Sequence, residues 1–367
     1  MIVFLHPVFT AVFIALMVYS FLEVNHDRSY KSAWWVVGFM IFLLGFRDWA
    51  GADYGVYARL FEYYGKMPYA FVFNKDIVEM EWLYVLLGKV IYDAKLPFFI
   101  YTFIIALIAL ISKYMTFEKV VYYPAMAMLL YMIPTYFIAD GGQMRQGVAM
   151  GLLMLSFLYI RERRLLMFLF VIYMAMGFHK SAFVFIFAYW IAIIPLNPTR
   201  ILLLILISVI LSPFQVYSYI SLLDSIAPEE VYEGFQSYET IEEANKSSVK
   251  LYDLISIFYT YFLVVYNKEA CERIPYYEYM RNISVVGICM YFIFRGSPIF
   301  SSRLSINYFI FMIMVLPSIV AAVQKPSLKK GLHLVIMGFI VFYYFVFAYM
   351  QGVKLGYTWE GYGNYFW

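Results

Sequence analysis

The stretch "VVGFMIFLLGFRDWAGADYGVYARLF", residues 36–61, joins an apolar run directly to a charged segment. Residues 36–46 carry no charge, and Arg47 follows at once, with Asp48 and Asp53 close behind. In a lipid bilayer every backbone polar group must be satisfied within its own segment, so an apolar run of this kind predicts a membrane helix. The arginine then lies at the end of that helix.

The whole chain shows the same character. Of its 367 residues 64% are hydrophobic and only 14% are charged, and the mean hydropathy is +0.75. A water-soluble domain does not carry that much apolar surface. We therefore expect an all-α polytopic membrane protein in which residues 1–367 form a single integral membrane domain.

Apolar runs along the chain predict about twelve transmembrane helices. The run 82–94 is expected to be a re-entrant or interfacial helix, because a full span there would place later basic loops on the wrong side. The predicted spans are 2–24, 33–46, 96–112, 120–139, 143–160, 164–178, 181–195, 200–214, 251–266, 282–294, 303–322 and 331–350.

Basic loops predict the orientation of these spans. The segment "RERR", residues 161–164, is the firmest cytoplasmic loop under the positive-inside rule, and it assigns residues 113–119 to the same side. Residues 47–95 then form an outer loop with the interfacial helix, and residues 215–250 form an acidic outer loop. Other basic segments assigned to the inside are 25–32, 267–281 and 324–330.

Several classes of chemistry have no motif in this sequence. Two cysteines, Cys271 and Cys289, do not make a disulfide framework, and the four histidines lack the spacing of a zinc site. Phosphate-binding glycine motifs and basic stripes for nucleic acid are also missing. We expect no cofactor, no metal ion and no nucleic-acid partner.

Four arginines lie at the outer ends of predicted spans, against the positive-inside rule: Arg47, Arg145, Arg295 and Arg303. The span 33–46 is about 21 Å long, whereas the hydrocarbon core is about 30 Å thick. Arg47 is therefore expected below the outer membrane boundary. A lone arginine at such a place often snorkels or pairs with a carboxylate, but together these residues predict a cationic cavity that binds an anion.

The opening stretch resembles a known signature. "FRDWAGADYGVYARLF" is similar to the arginine, glycine, aspartate and tyrosine pattern of the EpsG-like family of Wzy-type polysaccharide polymerases. "GGQMRQGVAMG", "GFHKSAFV" and "FSSRLSINYF" resemble later elements of that family in the same order. "MEWLYVLLGKVIY", led by Glu81, is a weaker match, because Trp82 and Leu83 replace the family's proline and glycine.

The resemblance implies a function in O-antigen, capsule or exopolysaccharide biosynthesis. The family lengthens undecaprenyl-pyrophosphate-linked glycans, transferring the growing chain to the non-reducing end of a new repeat unit. It implies the architecture of lipid-dependent glycosyltransferases. It also implies the bacterial cytoplasmic (inner) membrane, with an active site facing the periplasm or cell exterior. Expected partners are the lipid-linked oligosaccharides, membrane lipids and a candidate chain-length regulator protein.

This transfer needs cations for the leaving pyrophosphate and a base for the acceptor hydroxyl. We assign the pyrophosphate to Arg145 and Arg303 first, then to Arg47 and Arg295, without a metal. The candidate bases are Asp53, Glu81 and His179. Each has a structural alternative: the first as an ion-pair partner of Arg47, the second as an exposed loop carboxylate, and the third as the cap of a hairpin turn at 179–181.

Other functions remain open at this stage. A lipid-glycan flippase also needs cations, but along a path that both leaflets reach. A membrane O-acyltransferase needs a histidine near the cytoplasm. A glycan ligase shares the donor chemistry of a polymerase. The aromatic tail 356–367 is expected to be an interfacial anchor or a cover for sugar rings, and residues 215–250 a cover or a solvated linker.

Overall fold

A computed structural model describes residues 4–51, 53–74, 76–214, 251–297, 300–353, 359 and 362–366. It is 79% helical with little sheet, in agreement with the predicted all-α class. The chain divides into two compact units. The first unit comprises Met1–Ile186 and Val320–Trp367, and the second comprises Phe187–Ile319.

The first unit is built from apolar helices joined by short connections. Its helices are Pro7–His26, Ala33–Gly45, Tyr54–Gly65, Trp82–Asp93, Phe98–Val120, Pro124–Tyr131, Met132–Asp140, Met144–Arg161, Leu165–Met176 and Pro326–Val353, with short turns at Tyr69–Phe71 and Lys180–Phe187. Two residue pairs form its small antiparallel sheet, in which Arg47–Asp48 pairs with Gly363–Asn364. The aromatic tail thus contacts the opening stretch through this strand pairing.

The second unit contains shorter helices. They are Ala188–Ile191, Pro198–Leu211, Leu251–Val265, Asn267–Arg273, Tyr277–Ile293, Ser301–Ser305, Ile306–Phe309 and Met312–Ala322, the last of which continues into the first unit, with one short turn at Ser212–Phe214. The acidic segment 215–250 lies outside the described residues.

Four helices in the described ranges are long and apolar enough to cross a bilayer, and they agree with a membrane protein. They are Pro7–His26, Phe98–Val120, Ser301–Ala322 and Pro326–Gln351. Five more are apolar but shorter: Ala33–Gly45, Leu165–Met176, Lys180–Ile191, Pro198–Phe214 and Leu251–Val265. The number of about twelve spans stays a prediction.

The prediction that residues 113–119 form a loop is wrong, whereas their place on the cytoplasmic side stays a prediction. Helix Phe98–Val120 continues through it. The apolar run ends at Lys113, which suggested a helix end, but this lysine is paired with Asp140 inside the fold. Because its charge is compensated there, the helix does not need to stop.

Basic segments of the first unit meet at one end. Lys329 Nζ lies 2.9 Å from Asp27 Oδ1, and the Tyr122 hydroxyl donates to the Asp27 carbonyl at 3.0 Å. Arg161 donates to the Lys119 carbonyl at 3.3 Å. Segments that the charge pattern assigned to one side are therefore neighbours. Which side of the membrane they face stays a prediction.

Candidate functional site

Three segments that are distant in sequence meet at Glu81. Its carboxylate pairs with Arg145 through Oε2 and Nη1, across 64 residues, and Oε1 accepts the Lys180 backbone N–H at 3.1 Å. Glu81 is only 7% exposed. It is therefore a buried acceptor shared by two segments, in contrast to the exposed loop carboxylate that the sequence also allowed.

The local fold explains how Glu81 reaches this place. It precedes helix Trp82–Asp93 with an extended backbone, and its side chain makes no capping bond to that helix. The helix start instead docks on the turn before His179, where the N–H groups of Leu83 and Tyr84 donate to the Gly177 carbonyl at 2.9 and 3.1 Å. A Cβ on Gly177 would lie 2.7 Å from Leu83 Cβ, so this close approach requires glycine.

Arg145 lies in the first turn of helix Met144–Arg161. Its guanidinium carbon is 6.0 Å from the centre of the Tyr57 ring and 5.8 Å from that of Tyr84, distances that allow cation–π attraction. Its Nε is buried and has no hydrogen-bond acceptor in the described part of the chain. The side chain is 21% exposed, so one edge of this cation can reach a ligand.

The charges around Glu81 set its protonation state. Burial raises the pKa of this carboxyl, but the charge of Arg145, the electrostatic effect of His179 and the hydrogen bond from the Lys180 N–H together outweigh burial and leave the pKa below its ordinary value. Glu81 is therefore ionised at neutral pH. A carboxylate with a lowered pKa is a weak general base.

His179 is held by its neighbour. Nδ1 lies 2.7 Å from the Ser181 hydroxyl and accepts the Ser181 backbone N–H at 3.3 Å. Since a backbone N–H can only donate, this geometry assigns the proton of the neutral ring to Nε2. His179 is 9% exposed and acts electrostatically on Glu81. It thus belongs to the same cluster, and its Nε2 is a hydrogen-bond donor.

Asp53 and Tyr57, both in the opening stretch, lie near the Arg145 cluster. Asp53 directly precedes helix Tyr54–Gly65 and makes no side-chain capping bond to it. Burial raises the pKa of the Tyr57 hydroxyl, and although Arg145 opposes this rise, the carboxylates of Asp53 and Glu81 add to it. Tyr57 is therefore neutral, and Asp53 lies within the electrostatic reach of the Arg145 cluster.

Arg47 is buried, with 1% exposure, and its partners are neutral groups. Nε donates to the Ala50 carbonyl at 3.0 Å, Nη1 to the Leu44 carbonyl at 2.5 Å, and Nη2 lies 3.9 Å from Met144 Sδ. The predicted alternative, an ion pair with Asp53, is not among these contacts. Arg47 ties the opening stretch to the residue before Arg145.

The other two predicted arginines belong to the second unit. Arg295 makes a two-point contact with Asp253, with Nε 2.8 Å from Oδ1 and Nη2 2.6 Å from Oδ2, and Tyr291 adds a hydroxyl to the same carboxylate. Arg303 is exposed, and its backbone carbonyl accepts the Asn307 side chain at 3.0 Å. The charge of Arg295 is compensated within the chain, whereas the Arg303 side chain faces outward.

The sequence did not select Tyr57, Tyr84 and Gly177 as site residues. Tyr57 stands in the quoted signature, and its helical position four residues after Asp53 could have suggested a role. Tyr84 and Gly177 carry no such signal, because only the docking of helix Trp82–Asp93 on the turn brings them together.

The residues that meet at this cluster come from segments quoted above for their family resemblance. The family model for EpsG matches residues 32–365. The chain belongs to the EpsG family. This is a family of Wzy-like polysaccharide polymerases. Comparisons with curated proteins and with solved structures give no significant match. The cluster Tyr57–Glu81–Arg145–His179 is therefore the candidate active site of an EpsG-family protein.

Proposed function

We propose that this chain polymerises undecaprenyl-pyrophosphate-linked glycan repeat units. In this reaction the bond between the donor's anomeric carbon and the pyrophosphate oxygen breaks. A bond forms between that carbon and a hydroxyl at the non-reducing end of another lipid-linked unit. The hydroxyl proton goes to a base, and the lipid pyrophosphate leaves. Membership of the EpsG family supports the general class of reaction.

One observation carries the proposal: the ion pair between the buried Glu81 carboxylate and the partly exposed Arg145 guanidinium, with His179 beside it. Arginine offers a planar set of donors suited to phosphate oxygens, and burial strengthens its effect on a developing charge. The Arg145 Nε is a buried donor with no acceptor among the described residues. We assign Arg145 to the leaving pyrophosphate, with Glu81 holding the guanidinium in place.

The same geometry ranks the candidate bases. The Glu81 carboxylate already binds Arg145 and the Lys180 N–H. His179 uses Nδ1 to accept from Ser181. We therefore favour Asp53 as the base and His179 as a hydrogen-bond donor through Nε2. The assignment of Arg303 to the pyrophosphate stays a prediction from the sequence, and we propose that no metal takes part.

We further propose that the reaction takes place at the outer face of the bacterial cytoplasmic membrane. The basic segments that meet at Asp27 and Lys329 support this orientation, because such segments usually face the cytoplasm. The strand pairing of Arg47–Asp48 with Gly363–Asn364 links the opening stretch to the aromatic tail, as expected of two segments on one side.

The test is deletion of the gene in its native host, followed by complementation. Lipid-linked glycans are extracted and sized on gels for the wild type, Arg145→Ala and Asp53→Asn. We expect a one-repeat product in the deletion strain and in both variants, and long polymer with the wild type. The matched control is Asp93→Asn, which breaks the Lys89–Asp93 pair on the helix that follows Glu81 and should leave polymer length unchanged.

Rival functions give different products. A flippase defect would leave the one-repeat lipid on the cytoplasmic leaflet, out of reach of an added periplasmic glycosidase. A ligase defect would leave full-length polymer on the lipid. Either pattern would reject polymerisation.

A further inference from the structure

A second buried ion pair lies next to the candidate site. Lys113 Nζ is 2.6 Å from Asp140 Oδ1, and the two side chains are 0% and 1% exposed. The Tyr131 hydroxyl donates to Asp140 Oδ2 at 2.5 Å. Charged groups buried among apolar helices are expensive, and in membrane proteins they commonly mark functional positions.

This pair holds both sides of the turn that carries Arg145. Asp140 ends helix Met132–Asp140, five residues before Arg145. The same Lys113 Nζ also donates to the Gly147 carbonyl at 2.8 Å, two residues after Arg145. One ammonium group therefore fixes the chain before and after the arginine.

Glycines allow this approach. A Cβ on Gly147 would overlap Asp140 Oδ1, and a Cβ on Gly151 would lie 2.7 Å from the Ala109 carbonyl oxygen. The spacing Gly147–Gly151 is the small-residue pattern that lets two membrane helices pack closely. Helix Phe98–Val120 thus lies against the start of helix Met144–Arg161, and Lys113 contacts the first turn of the latter helix.

We propose that Lys113 and Asp140 are positioning residues for Arg145, an inference that rests on the proposed function. A buried ion pair contributes little net stability, and apolar residues of similar volume can often replace it without loss. Contacts that fix the turn around Arg145 affect the reaction rate instead, because a displacement of about 1 Å at a catalytic group can cost about 100-fold in rate. The pair fixes the place of the guanidinium rather than the stability of the fold.

The test replaces the pair by apolar residues of similar shape. The variant Lys113→Met/Asp140→Leu/Tyr131→Phe leaves no charge and no hydroxyl of the cluster. Membranes are given lipid-linked repeat units extracted from the deletion strain, and kcat, KM and the thermal midpoint are measured. We expect kcat to fall about 10- to 100-fold, with KM within about 3-fold and an unchanged or higher thermal midpoint.

A matched control changes another buried polar pair of the same unit. Ser20 Oγ lies 2.9 Å from His333 Nε2, far along the sequence from the Arg145 turn. Ser20→Ala/His333→Phe should leave kcat within about 2-fold of wild type. If the triple variant fails to reach the membrane, Lys113→Met/Asp140→Asn removes the charges with a smaller change in shape, and the same fall in kcat is expected.

A second measurement separates positioning from a general structural role. In an Arg145→Lys background the triple change should reduce residual kcat by less than about 2-fold, because the group that it positions is already altered. Unchanged kcat in the triple variant, or an equal loss in both backgrounds, would overturn the inference. Wild-type membranes that make no polymer would instead reject the proposed function itself.

Discussion

Glu81 and Arg145 form a partly buried ion pair that joins the start of helix Trp82–Asp93 to the start of helix Met144–Arg161. Both residues stand at helix beginnings, and Lys180 adds a backbone N–H from a third segment. The site is thus formed by the starts of two helices and a turn, and one carboxylate binds all three segments.

Glu81 should remain ionised in mild acid. Its pKa is lowered in the folded protein, so the contribution of the pair to stability is fully present above the unfolded pKa of about 4.3 and is lost as pH falls through the lower folded value. The thermal midpoint of wild type minus that of Glu81→Gln should be constant from about pH 5 to 8 and shrink below about pH 4. A difference that already shrinks between pH 7 and 5.5 would contradict the lowered pKa.

Gly177→Ala should separate the helix that follows Glu81 from its docking turn. The new Cβ would lie 2.7 Å from Leu83 Cβ, and overpacking of this kind usually costs about 1–3 kcal/mol. We expect a lower thermal midpoint and shorter polymer. Gly38→Ala is the control, because a Cβ there meets nothing within 4 Å and alanine favours helix by up to about 1 kcal/mol. Equal effects of the two changes would reject the docking argument.

Part of this architecture could be predicted from the sequence. Apolar runs located many of the helices, and the break after Met176 falls where the predicted spans 164–178 and 181–195 meet. The predicted spans 120–139 and 181–195 are each divided into two shorter pieces. Lys113 was assigned to a loop because compensation of its charge by Asp140 depends on a contact across 27 residues. The pairing of Glu81 with Arg145 could not be predicted for the same reason, although each residue was itself a predicted site residue.

Reporter fusions test the orientation of the first unit. The basic segments near Lys119, Arg161 and Lys329 should face the cytoplasm, and residues 47–95 should face away from it. A fusion after Lys95, which is exposed, should show export-dependent activity, and one after Arg163 should show cytoplasmic activity. The reverse pattern would move the candidate site to the cytoplasmic face.

The opening stretch supports the last prediction. Arg47 is buried and donates to the carbonyl oxygens of Ala50 and Leu44, which need a donor and would repel a carboxylate. The exchange Arg47→Asp/Asp53→Arg should therefore restore neither folding nor activity. Arg47→Ala alone should lower membrane abundance, because it removes these donors from buried acceptors at a cost of about 1–3 kcal/mol each.

Asp53→Asn should behave differently from the Arg47 variants. The amide keeps the shape of the side chain and removes the charge, so the protein should reach the membrane at wild-type level while elongation is lost. Polymer length on gels is read beside immunoblots of membranes for Arg47→Ala, Asp53→Asn and the exchange. Long polymer from Asp53→Asn would exclude this carboxylate as the base. Because Glu81 is held by Arg145 and Lys180, His179 would then be the better candidate, and its protonation at Nε2 would have to change as substrate binds.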